Sequence, residues 1–144
     1  MQIPDFTWVD LLIQVALYPV YQIVSTARHE LSHAFVVWMS GFDVTSIRIF
    51  PFRESGVFYW GRVTWTRDEP DDMPVPKYIH AMPYYVNLLC VLGAYPAMVY
   101  VQWEHFIAFA ATLVMLFISP VVDTTYNVFK WLIYDKGDWA EINR

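Results

Sequence analysis

Apolar residues along this chain fall into three long runs. The first begins at Trp8 and passes through Leu11-Leu12-Ile13, Val15-Ala16-Leu17 and Ile23-Val24. It resumes in Ala34-Phe35-Val36-Val37-Trp38-Met39 and meets a natural helix stop at Gly41. Read as one helix over 8–40, this run exceeds the roughly 20 residues needed to cross a bilayer. Tilt, a kink at Pro19 or a protruding end takes up the excess. The second run covers 79–101 and the third 106–122, both of spanning length, and a helical stretch beyond Pro120 carries the third on to about residue 134. Only Gln102-Trp103-Glu104-His105 separates these two, which makes them antiparallel neighbours. The tail from Asp135 onward reads as polar and exposed.

Residues 43–66 have a different texture. Val44, Ser46 and Arg48 alternate with Thr45, Ile47 and Ile49, and Val57, Tyr59, Val63 and Trp65 recur in a similar stretch. Pro51 through Ser55 supplies a turn between them, so the pattern predicts a β-hairpin at the membrane surface. A loop rich in Asp and Pro follows over 68–76. The expected fold is mainly α and integral to a membrane, one domain over 1–144. Three transmembrane helices form its core, with a short hairpin between the first and second.

Composition sharpens this reading. Of 144 residues, 57% are hydrophobic and 19% aromatic, with a mean hydropathy of +0.33. A short soluble chain has too little interior to hide that much apolar surface, and Trp and Tyr collect at bilayer interfaces. The net charge of −5 gives no reason to expect nucleic acid as a partner. The single cysteine, Cys90, excludes an internal disulfide and a multi-cysteine zinc site. No basic stretch precedes the first apolar run, so no cleaved signal peptide is expected. Arg48, Arg53, Arg62, Arg67 and Lys77 cluster around the hairpin, and Lys130, Lys136 and Arg144 follow the third run. By the positive-inside rule, the hairpin and the C-terminus face the cytoplasm.

The chemistry sits at His29-Glu30-Leu31-Ser32-His33. Histidines at i and i+4 share one helical face and can reach one Zn²⁺, while the glutamate between them can take a proton from a zinc-activated water. The bland alternative is a set of polar residues on an exposed helix face. Two imidazoles and a carboxylate flanked by apolar runs are costly inside a bilayer, which favours the metal. A catalytic zinc takes three protein ligands and keeps one position open. Candidates for the third are Asp123, Glu54, Glu69, Glu104, His80 and His105. At 1.5 Å per helical residue, His33 lies about 12 Å from the Gly41 end and Asp123 about 10 Å from Lys130. Those basic ends face the same side, so the two residues share a depth and Asp123 is the best candidate. Arg28 reads as a basic residue snorkelling toward water, or as a support for a carboxylate or substrate chain.

The run ARHELSHAFVVWMSGFDVTSIRIFPF resembles the metal-binding helix and following strand of the site-2 protease family of intramembrane zinc metalloproteases. The segments GRVTW, AMPYYVNLL and SPVVDTTYN extend the resemblance in order over most of the chain. It implies one zinc per chain, with His29, His33 and Asp123 as ligands and Glu30 as catalytic base. It also implies an endopeptidase acting on membrane proteins or peptides. Ser32 replaces a usual glycine, Thr124 replaces the glycine after the aspartate, and the spacing from Pro83 to Asn87 is one residue longer than usual. Asn87 is a candidate for substrate binding, or else for an interhelical hydrogen bond. A regulatory membrane partner is a further expectation.

Two rivals differ in class. One is a non-catalytic zinc-binding membrane protein that binds or regulates a partner. The other is a soluble zinc peptidase, although Val36 and Met39 stand where HExxHxxGxxH needs glycine and histidine. Expressed without detergent, the chain is expected in the membrane pellet after alkaline extraction; recovery in the supernatant would exclude the spanning architecture.

Overall fold

A computed structural model describes residues 4–54, 56–66 and 75–143. The first apolar run forms α1, Trp8–Met39, a continuous 32-residue helix about 48 Å long at 1.5 Å per residue. Thr7 caps it through a reciprocal pair: the Asp10 amide donates to Thr7 Oγ1, and the Thr7 amide donates to the Asp10 carboxylate. Its other end closes with Gly41 in a left-handed conformation (φ 81°). The Gly41 amide reaches the Trp38 carbonyl and the Phe42 amide reaches that of Val37, a Schellman motif. Pro19 is accommodated within the helix.

The second run forms α2, Lys77–Tyr100, with Pro83 and Pro96 inside it. The third is continuous from Phe106 to Tyr134 but not uniform: α3, Phe106–Leu113, passes through a π-helical turn at Val114–Ile118 into α4, Ser119–Tyr134. Three helices of 32, 24 and 29 residues are therefore long and apolar enough to cross a membrane. Large apolar side chains face outward along all of them, among them Leu12, Leu89 and Leu132, each more than two-thirds exposed or nearly so. Only a narrow seam is buried, including Val37, Ile79, Pro83, Ala94, Phe109 and Pro120.

The hairpin spans the expected residues but is more broken than its sequence pattern predicts. β1 (Asp43–Arg48) pairs antiparallel with β4 (Arg62–Thr66), and β2 (Phe52–Glu54) pairs antiparallel with β3 (Val57–Tyr59). Phe52–Glu54 is strand rather than turn, and Gly56 takes the positive φ of the reversal (80°). The alternation expected in the first strand is interrupted by a bulge between Val44 and Ser46. Most of the 68–76 loop, with Arg67, Glu69 and Ser55, lies outside the described residues.

The tail departs most from expectation. Asp135 adopts a left-handed conformation (φ 49°) and Gly137 a positive φ of 91°, so the chain turns back after α4. It then forms α5, Asp138–Asn143, which packs on α2 and α4 with Ala140 fully buried. Trp139 explains the docking: its ring lies 5.1 Å from that of Tyr84 and 6.2 Å from that of Trp131.

Where the hairpin crosses α1, only glycine fits. A Cβ on Gly61 would lie 2.6 Å from Thr26 Cγ2 and 2.7 Å from both Glu30 Cγ and Oε1. Gly61→Val is expected to destabilise the fold by about 1–3 kcal/mol through overpacking, read as a lower thermal midpoint in detergent, whereas Gly56→Asn should cost much less.

Candidate metal centre

The buried face of α1 carries Thr26, Glu30, His33, Ala34 and Val37, spaced by three or four residues as one helical stripe requires. His29 lies beside it, 12% exposed at its side chain. The two rings are fixed in the same sense. His33 Nδ1 donates to the Ile79 carbonyl at 2.7 Å, and His29 Nδ1 donates to Asp123 Oδ2 at 2.9 Å. A carbonyl and a carboxylate can only accept, so each neutral ring carries its proton on Nδ1 and offers a bare Nε2.

The Ile79 acceptor exists because of Pro83. In an α-helix the carbonyl of residue 79 is taken by the amide of residue 83, and proline has none. The carbonyl released in this way orients His33. The same device recurs in the third helix. Across the π turn the Ser119 amide bonds to the Val114 carbonyl, five residues back. The next acceptor in that series, Met115, would be served by residue 120, again a proline. Arg28 Nη1 takes that carbonyl at 3.0 Å, and Nη2 reaches Ser119 Oγ at 3.3 Å. Arg28 is thus tied into the bundle between α1 and the third helix, not extended toward water.

Three electron-rich atoms converge at the free edges of the histidines. His29 Nε2 and His33 Nε2 lie 3.3 Å apart, and Asp138 Oδ2 lies 3.2 Å from the first and 3.4 Å from the second. Three acceptors in mutual contact repel unless a cation lies among them. A proton on one ring satisfies one or two edges of this triangle; a metal ion above its centre satisfies all three. Mutual distances of 3.2–3.4 Å let one small cation touch all three atoms. The group can hold a metal ion.

Asp138 is further engaged by two residues of α2. His80 Nδ1 is 3.2 Å from its Oδ1, and the Tyr84 hydroxyl donates to Oδ2 at 3.4 Å.

Asp123 takes a different place. It meets the Nδ1 edge of His29, opposite the converging Nε2 atoms, and is held there by Asn87 Nδ2 at 2.8 Å and Asn127 Nδ2 at 3.2 Å. Asn87, almost wholly buried, also donates to Thr124 Oγ1 at 3.1 Å, so its amide serves as an interhelical tie. Glu54 pairs with Arg62 on the hairpin. Glu104 and His105 lie with Asp5 and Asp10 at another surface depression. Glu69 lies outside the described residues. Asp138 and Tyr84 were not among the sequence candidates. The signal for them was Trp139, an aromatic residue in a tail otherwise read as solvated.

Glu30 is 9% exposed and lines one open cavity of about 640 Å³ together with His29, His33, Asp123 and Asp138. The β3–β4 segment and the facing sides of α1 and α4 form its walls. No protein-family model, curated protein or solved structure matches the chain.

Pro83→Ala restores an amide that competes for the Ile79 carbonyl. The variant is expected to keep or raise its thermal midpoint while losing about 10–100-fold in divalent-metal affinity, the usual effect of an outer-sphere change. Unchanged affinity would show that His33 needs no such anchor.

Proposed function

We propose that the chain is a zinc-dependent intramembrane endopeptidase that hydrolyses peptide bonds of membrane-associated substrates. The observation that carries this reading is the placement of Glu30 on the cavity into which the His29, His33 and Asp138 acceptor atoms converge. A purely structural site has no use for an adjacent base. A zinc ion held by the two histidines and a carboxylate would supply Lewis acidity, polarising the scissile carbonyl and making water acidic enough to attack near neutral pH. Glu30 takes the proton of the attacking water and delivers it to the departing amine.

The apolar surface of the three long helices supports residence in a bilayer, with the hairpin and C-terminus on the cytoplasmic side. A helical substrate hides its peptide bonds and must unwind before attack. β4 has a single strand partner, β1, among the described residues, and Arg62, Val63 and Trp65 of β4 line the cavity. An unwound segment can add to its open edge through backbone hydrogen bonds, with the scissile bond held toward Glu30.

Glu30→Gln is expected to bind zinc with unchanged stoichiometry and to lose at least about 100-fold in cleavage of a membrane-embedded peptide. Full activity in that variant would sink the proposal.

A further inference from the structure

We propose that Asp138, not Asp123, is the third protein ligand of the metal, and that Asp123 is a positioning residue for His29. Metal binding and docking of the C-terminal helix α5 then become one event. The inference deepens the metalloprotease reading and rests on it for the presence of a metal.

Geometry separates the two carboxylates. The nitrogens of an imidazole point outward from different edges of the ring, so an atom bonded at Nδ1 is turned away from whatever Nε2 holds. Asp123 Oδ2 is at the Nδ1 edge of His29 (2.9 Å), whereas Asp138 Oδ2 stands against the Nε2 atoms of both histidines (3.2 and 3.4 Å). Asp123 is also committed elsewhere, through Asn87 and Asn127. A carboxylate accepting from the far nitrogen of a metal-binding histidine is the usual outer support of such a site. By contrast, Asp138 gathers His29, His33, His80 and Tyr84 onto its two oxygens.

The consequence lies in the chain path. His29 and His33 belong to α1, and Asp138 opens α5, which folds back only through the positive φ of Asp135 and Gly137. α5 is also held by the Trp139 contacts with Tyr84 and Trp131, by buried Ala140 and by the contacts of Asp138 with His80 and Tyr84. Six residues make a helix too short to persist alone. Without the ion, its first residue adds a third acceptor to two others; with the ion, that residue becomes an anchor.

The test uses the full chain in detergent, with zinc affinity measured by chelator competition and amide exchange of α5 followed with and without saturating zinc. Wild type is expected to slow exchange in α5 at least 10-fold on adding zinc. Asp138→Asn should weaken zinc at least 100-fold and abolish that protection. Asp123→Asn should weaken zinc about 10–100-fold yet keep the protection once the site is saturated. Asp138→His, which restores a ligating nitrogen, should recover at least 10-fold of the lost affinity and so distinguishes lost ligation from misfolding. Near-normal affinity in Asp138→Asn, with loss in Asp123→Asn, would reverse the two roles and overturn the inference while leaving the metalloprotease reading intact. Failure of wild type to bind zinc would overturn both.

Discussion

The site depends on one convergence of polar atoms. Two imidazole nitrogens and a carboxylate oxygen from distant parts of the sequence stand 3.2–3.4 Å from one another, each presenting a lone pair. Neighbours with no charge of their own, a backbone carbonyl behind His33 and the Asn87 and Asn127 amides behind Asp123, lock the histidine protons away from the meeting point. One metal ion could serve all three atoms, and the surrounding fold holds them together. Desolvated polar groups of this kind are expensive in an apolar bundle, so their alignment is a commitment made by several helices at once.

Much of this was legible from the amino-acid order, for reasons that are local. The three long helices follow from apolar runs whose length no short loop could imitate, and α1 ends at Gly41 as its sequence predicts. The His29/His33 pair could be placed because i and i+4 fix a shared helical face before any tertiary contact forms. The depth argument matched Asp123 with His33; the histidine that Asp123 contacts is His29, one turn earlier.

What was not legible depends on chain reversal and on phase. Asp138 looked solvated because its neighbours Asp135 and Lys136 are polar; only the left-handed turn and the stacking of Trp139 bring it back. Matching depth could not say which edge of the His29 ring Asp123 would meet. The π turn at Val114–Ile118 leaves no mark in hydropathy, yet it changes the azimuth of every residue after it, Asp123 included. The two-stage hairpin was hidden in the same way, since Pro51 resembles a turn whether or not strand pairing resumes beyond it.

Two supports of the site are made by subtraction. Pro83 and Pro120 bring no polar side chain; each lacks an amide donor and thereby leaves a main-chain oxygen to His33 or to Arg28. A survey that exchanged polar side chains one by one would pass over both positions, because what matters there is a gap in the hydrogen-bond ladder. Engineering such a centre into another apolar bundle accordingly calls for placing imino acids four or five residues beyond the desired acceptor, as well as choosing the histidines that will face it.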